Sequence, residues 1–185
     1  MSELVFELRR IRTGDSVDVF TCGDPGTDRF LRYHALPAQT PRGLTSTWVA
    51  LATGTRTAPV VAGFLTTSTA SLDRARFPDA ALMRRLPGYP LPVLRVSRLG
   101  VANGFQRRGL GAALLRHAET LAALVAAPGG VVVAGLVVDA PTSGMAFLEK
   151  RGFARLGGRI LEGALHGGPA PYFRALPASA PAAKA

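Results

Sequence analysis

Apolar residues recur along this chain with two periods, and the change of period predicts where strands and helices lie. Val5-Phe6-Glu7-Leu8 opens a mixed, strand-like segment running to about Phe20. Asp24-Pro25-Gly26 is a turn signal. Asp28 is a candidate cap for a helix over residues 29–38, where Phe30, Leu31 and His34 share helical spacing. Residues 45–52 and 60–67 are β-rich and read as a hairpin across Thr53-Gly54-Thr55-Arg56. A less ordered stretch follows, with a short basic helix over 80–85 that Pro87, Pro90 and Pro92 end. Residues 93–101 read as a strand. From Gly109, residues Leu110, Ala113, Leu114, His117, Leu121, Leu124 and Val125 recur every three or four positions, which predicts a helix. The valine-rich run 131–138 reads as a strand covered on both faces. Pro141 suits a helix start, with the helix over 142–151 ended by Gly152. Residues 153–156 and 172–176 are closing strands across a glycine-rich connection. Residues 177–185 are low-complexity, and a frayed tail is expected there.

Strand, helix and strand over 93–138 form a crossover unit, so two near-parallel strands are expected at its centre. The 185 residues suit one domain, 1–176, and 48% hydrophobic content suits a folded core. No apolar run approaches the roughly 18 residues of a membrane span. Met1-Ser2-Glu3 does not open a signal-type segment. The single cysteine, Cys22, fits a cytoplasmic protein.

Charge changes the picture. The chain carries +10, almost all of it arginine. A bias toward Ala, Arg, Gly and Pro accounts for the total. It accounts less well for residues 80–118, which hold no Asp or Glu but hold Arg84, Arg85, Arg95, Arg98, Arg107, Arg108 and Arg116. Such a stretch implies an anionic partner, either a phosphorylated cofactor or RNA, although no base-reading motif accompanies it.

The centre of that stretch is Leu99-Gly100-Val101 followed by Gln106-Arg107-Arg108-Gly109-Leu110-Gly111-Ala112. A strand runs through a short loop into a helix. The first helical N–H groups lack intrahelical partners and the helix dipole adds positive charge there. Gly109 and Gly111 let a ligand reach the backbone, and two arginines add full charges. The arrangement suits a diphosphate. No Gly-x-x-x-x-Gly-Lys-Ser/Thr is present, and no dinucleotide fingerprint follows a strand.

These residues resemble the Gln/Arg-x-x-Gly-x-Gly/Ala signature of the GNAT acetyltransferases. Phe147-Leu148-Glu149-Lys150-Arg151-Gly152-Phe153 is similar to the family's second landmark. The resemblance covers about residues 21–176. It implies an α/β (α+β) GNAT fold: a mixed, mostly antiparallel sheet splayed at two near-parallel central strands, with helices on both faces. It implies acetyl-CoA as cosubstrate, with no metal. The pantetheine arm would lie along the backbone of Leu99, Gly100 and Val101. The N–H groups of Arg107, Arg108, Gly109, Leu110, Gly111 and Ala112 would hold the pyrophosphate, with Gln106 also among the cofactor-binding residues. A backbone N–H close to Leu99 would stabilise the oxyanion.

Three further stretches are similar to GNAT toxins that acetylate the amine of aminoacyl-tRNA: residues 28–36, 61–65 and 84–101. In that group arginines contact tRNA, and a ribbon-helix-helix antitoxin is the usual partner. The candidates here are Arg74, Arg76, Arg84, Arg85, Arg95 and Arg98, each of which also reads as solvated surface charge. A homodimer is compatible with the resemblance.

One landmark is missing. The family's tyrosine, which protonates the departing thiolate, falls at Leu148, and leucine has no proton to give. Tyr89 and Tyr172 are the remaining candidates. Asp139 either orients water or caps the helix after Pro141. His117 reads as a packing or surface residue. The alternatives are an acetyltransferase for small-molecule or protein amines, and a catalytically impaired acyl-CoA- or RNA-binding protein.

Overall fold

The computed structural model describes residues 5–39, 43–54, 57–85, 87–126, 133–157 and 170–176. The tail over 177–185 and most of the glycine-rich connection lie outside them. The strands are β1 (Val5–Arg10), β2 (Ser46–Gly54), β3 (Thr57–Leu72), β4 (Leu91–Val101), β5 (Gly135–Ala140), β6 (Ala154–Arg155) and β7 (Ala170–Ala175). The helices are α1 (Pro25–Tyr33), α2 (Ala35–Gln39), α3 (Ala80–Arg85), α4 (Leu110–Val125) and α5 (Met145–Glu149). The strands pair in the order β1-β2-β3-β4-β5-β7-β6. In the mixed α+β sheet β1–β2, β2–β3, β5–β7 and β6–β7 pair antiparallel, while β4 and β5 run parallel with Leu94, Arg95 and Val96 opposite Leu136, Val137 and Val138. The expected parallel pair is therefore present.

The chain divides into two compact units, residues 1–68 with 97–117, and residues 69–96 with 118–185. In the first, strand alternation separates two packed faces. Val49, Leu51, Val61 and Phe64 join Phe20, Leu31 and Ala35 in one buried cluster. The opposite face carries Gly63, where an added Cβ would meet Leu110 and Leu114 of α4 at 3.2 and 3.1 Å. Glycine at that position lets α4 sit close against β3. In the second unit Leu72, Phe77, Leu91, Val93, Val137 and Leu156 form the core. The rings of Phe77 and Phe173 meet edge to face at 5.1 Å there.

Several boundaries differ from expectation. The first strand stops at Arg10, because Asp15 folds the chain back by accepting from Arg9 at 2.6 Å and from the Arg12 N–H at 2.8 Å. The first helix is capped by Asp24, which accepts from the N–H groups of Gly26 and Thr27, with Pro25 at the first helical position. Asp28 instead accepts from the Cys22 N–H at 2.9 Å. The helix breaks at His34 and resumes as α2. β3 extends to Leu72, well past the expected end. The valine run gives no boundary signal, and β5 is Gly135–Ala140. It starts where the Phe173 ring leaves no room for a Cβ at Gly135. Asp139 lies inside β5, so the capping expectation fails. The 3-10 turn Thr142–Gly144 has no side-chain cap, and the Asp139 carboxylate accepts from Arg95.

Candidate acyl-CoA site

β4 delivers its last residues to a 3-10 turn, Asn103–Phe105, and residues 106–109 lead from it into α4. Ala102 donates to Ala62 of β3 at 2.8 Å. By strand alternation the N–H groups of Leu99 and Val101 point to the other edge of β4. On that edge side chains take two carbonyls: Arg98 donates to Ser97 at 2.7 Å, and Gln106 to Val101 at 3.0 Å. What this edge offers a strand-like ligand is therefore the N–H groups of Leu99 and Val101. Gly100 has a second reason to be glycine. A Cβ would stand 2.9 Å from Phe64 and 3.2 Å from Phe20.

The loop itself is held in an unusual conformation. Arg107 has φ +59°, the one non-glycine residue at positive φ among the described residues, and Gly109 has φ +84°. Left-handed backbone at a side-chain-bearing residue costs about 1–2 kcal/mol. The surroundings sustain it. The Gln106 amide donates to the carbonyls of Cys22 at 2.9 Å and Val101 at 3.0 Å, and to Asn103 Oδ1 at 3.2 Å. Asn103 in turn donates its N–H to Thr21 at 2.9 Å. Gln106 thus positions the loop and spends its donors on protein. Arg107, Arg108 and Gly109 are exposed, and Leu110 is buried as the anchor of α4. An exposed turn that enters the first turn of α4, with two arginines on it, is the kind of arrangement that suits a diphosphate.

The remaining candidates sit differently. Arg98 belongs to the same unit as the loop and lies 5.4 Å from the Phe30 ring centroid. Arg74, Arg76, Arg84, Arg85 and Arg95 belong to the other unit. Arg95 bonds Asp139 at 2.8 and 2.5 Å, and the two side chains are only 18% and 4% exposed, so its charge is already partnered. Tyr89 is exposed. Tyr172 is fully buried and donates to Glu149 at 2.8 Å. Burial first, and then that bond, push its phenol pKa up. A proton so held is poorly suited to a departing thiolate. Leu148 packs at 2% exposure, as leucine should. His117 is half-buried against Trp48, their rings 4.4 Å apart, and burial lowers its pKa. Among the described residues no group of His, Cys, Asp and Glu could hold a metal. No described helix is long and apolar enough to cross a membrane.

Sequence reasoning missed the Arg95–Asp139 pair, since 44 residues separate its members. It also missed Glu149 as the partner of Tyr172. The segment after α5 returns as β6, which pairs with β7 and sets Arg155 opposite Tyr172.

The architecture has clear counterparts. AtaT complexed with acetyl-methionyl-tRNAfMet superposes with TM-score 0.73 at 20% identity, over 94% of this chain and 95% of that one. The chain has the GNAT acetyltransferase fold. A tyrosine-to-phenylalanine mutant of the AtaT toxin, bound to the C-terminus of the antitoxin AtaR and to acetyl-CoA, matches with TM-score 0.69 at 19% identity, over 92% of this chain and 93% of that one. In sequence, the chain is 37% identical over 110 residues to a tRNA-acetylating toxin of Mycobacterium tuberculosis. That match spans 60% of this chain and 61% of the relative's length. No family model matches the chain.

Proposed function

We propose that this GNAT-fold protein transfers acetyl from acetyl-CoA to the amine of an aminoacyl-tRNA and acts as the toxin of a toxin–antitoxin pair. The observation that carries the reading is the β4–α4 turn. It offers a strand edge at Leu99 and Val101 for pantetheine and a left-handed, arginine-flanked loop for diphosphate. The likeness to a tRNA-acetylating toxin, and the acid-free arginine stretch around the loop, support a polyanionic acceptor. A ribbon-helix-helix antitoxin is the expected partner, and an aminoacyl-tRNA acceptor places the reaction in the cytoplasm.

In this reaction the acceptor nitrogen attacks the thioester carbonyl, the C–S bond breaks, and the nitrogen's proton passes to water or base. The Leu99 edge holds the carbonyl by a backbone N–H as negative charge develops. The loop fixes the diphosphate and so the reach of the arm. Leu148 supplies no proton, so the sulfur leaves as thiolate or is protonated by water. A thiol pKa of about 8.5 makes that departure feasible.

The test has two parts. Calorimetry measures acetyl-CoA binding, and a labelled-acetyl assay uses a bulk aminoacyl-tRNA pool. Saturable binding and label in the tRNA fraction are expected. Absence of binding at millimolar ligand overturns the acyl-CoA site. Binding with label appearing on small amines or proteins moves the acceptor. Binding with no transfer favours the second reading, a non-catalytic acyl-CoA-binding protein, for which buried Leu148 is the specific observation.

A further inference from the structure

We propose that the outer flank of α1 is a stacking platform for the unpaired 3′ end of the acceptor RNA; this rests on the aminoacyl-tRNA reading above. At about 100° per residue, Arg29, Tyr33, Gly26, Phe30 and His34 fall in succession on one flank of the helix. Both carboxylates of the segment point elsewhere and are engaged. Asp24 caps α1, and Asp28 accepts from Cys22. The flank is therefore cationic and aromatic with no acid on it.

Tyr33 is 64% exposed, a large aromatic presented to solvent. Arg29 and His34 are exposed beside it. Beneath them runs a ladder of flat groups. The Arg98 guanidinium lies 5.4 Å from the Phe30 centroid, and the Phe30 and His34 rings are 6.3 Å apart at 39°. Arg98 sits on β4 one residue before Leu99, so the ladder leads from the strand edge that would carry the acyl arm to the surface of α1. All of these residues belong to one unit.

The chemistry of the acceptor selects the occupant. The amino acid of an aminoacyl-tRNA is esterified to the end of a single strand, whose bases have free faces. Single-stranded RNA is bound by aromatic and guanidinium planes that stack on bases, with arginines on the phosphates. An acid-free flank complements that charge. Stacking tolerates any base, so the platform positions the 3′ end and does not read its sequence.

Tyr33→Ala, Tyr33→Phe and Arg29→Ala test this, with thermal midpoints confirming folding. Fluorescence anisotropy measures binding of deacylated tRNA, and kinetics measure acetylation. Tyr33→Ala is expected to weaken tRNA binding, and raise KM for aminoacyl-tRNA, about tenfold. KM for acetyl-CoA and kcat should stay near wild type, and Tyr33→Phe should behave as wild type. Arg29→Ala should lower the salt dependence of binding by about one ion. Tyr33→Ala with wild-type tRNA affinity overturns the platform, as does a wild-type protein that binds no tRNA. Tyr33→Ala that binds tRNA normally but loses the antitoxin also overturns it, because the flank then serves a protein. If wild type binds tRNA but does not acetylate it, the proposed reaction fails while a Tyr33 effect on binding still upholds the platform.

Discussion

The β4–α4 turn and the α5–β7 end make an instructive pair. Both lie where the GNAT resemblance places function. At the turn the chain tolerates strain: Arg107 is left-handed, and Gln106 divides its amide among three acceptors to keep the loop in shape. At α5 and β7 the chain shows ordinary packing. Leu148 is buried, and Tyr172 satisfies its hydroxyl on Glu149. Backbone strain at a ligand loop persists only where neighbours over-determine it. Under the proposed function, the turn is a cofactor loop held for binding, and the position of the family's acid is given over to packing.

The largest expected effect breaks that contrast. Leu148→Tyr should raise kcat about 100-fold if the native protein lacks an efficient acid, the lower end of what a general acid contributes. Placing the larger phenol in a packed site should also cost about 1–3 kcal/mol of stability by denaturant unfolding. An unchanged kcat would show that another group already protonates the sulfur. Tyr172→Phe is the control. It should leave kcat near wild type and lower stability by about 1 kcal/mol, the worth of its bond to Glu149. A large fall in kcat would make Tyr172 the acid.

Gly109→Val comes next. A β-branched residue at φ +84° is strained by at least the 1–2 kcal/mol typical of left-handed backbone, so acetyl-CoA should bind about tenfold more weakly by calorimetry. Gln106→Leu removes the pins and touches no ligand. If about 1 kcal/mol of what these bonds contribute serves to hold the binding shape of the loop, a fivefold rise in Kd is expected, with the rest of the fold intact by circular dichroism. A Kd equal to wild type would mean that the loop holds its shape unaided.

The smallest effect concerns pH. Burial against Trp48 lowers the His117 pKa below 6.5. Between the folded and unfolded pKa values the unfolded chain binds more protons, so stability falls as pH drops below about 6.5. His117→Leu should flatten the thermal midpoint between pH 7 and 5. An identical slope in the variant would assign the pH dependence to other groups. In the same unit burial, helped by Asp28, pushes the Cys22 thiol up to about 12, so it should resist thiol reagents at neutral pH in the folded protein.

Much of this was legible in the sequence because it depended on local spacing. The α4 start at Leu110 and the parallel crossover followed from glycine placement and apolar period. The strand–turn–helix proposed as the phosphate loop was readable for the same reason: strand, glycine and helix signals stand within a dozen residues. What failed depended on competition between neighbours. Asp24 and Asp28 are both good caps, and reading Asp24-Pro25-Gly26 only as a turn hid the signal that ranks them. Pro25 at the first helical position decides for Asp24. Asp139 looked available because its partner, Arg95, is distant in sequence. The run 131–138 offered eight similar positions and no register. The α1 flank was half visible: the spacing of Phe30 and His34 was clear, but Arg98 approaches it only through the sheet.

The bond from Gln106 to the Cys22 carbonyl spans 84 residues. During synthesis the segment around Cys22 emerges long before Gln106, and the loop can take its final shape only after the two meet. Such long-range closure comes late in folding. A nascent chain that has made only its first two strands and α1 would therefore have no grip on acetyl-CoA. Once the grip forms, ligand at cellular concentration would hold the two ends of that unit together by mass action. If the proposed activity holds, competence to bind the cosubstrate becomes a checkpoint on completed folding, which for a toxin would leave an interval in which an inhibitor can arrive first.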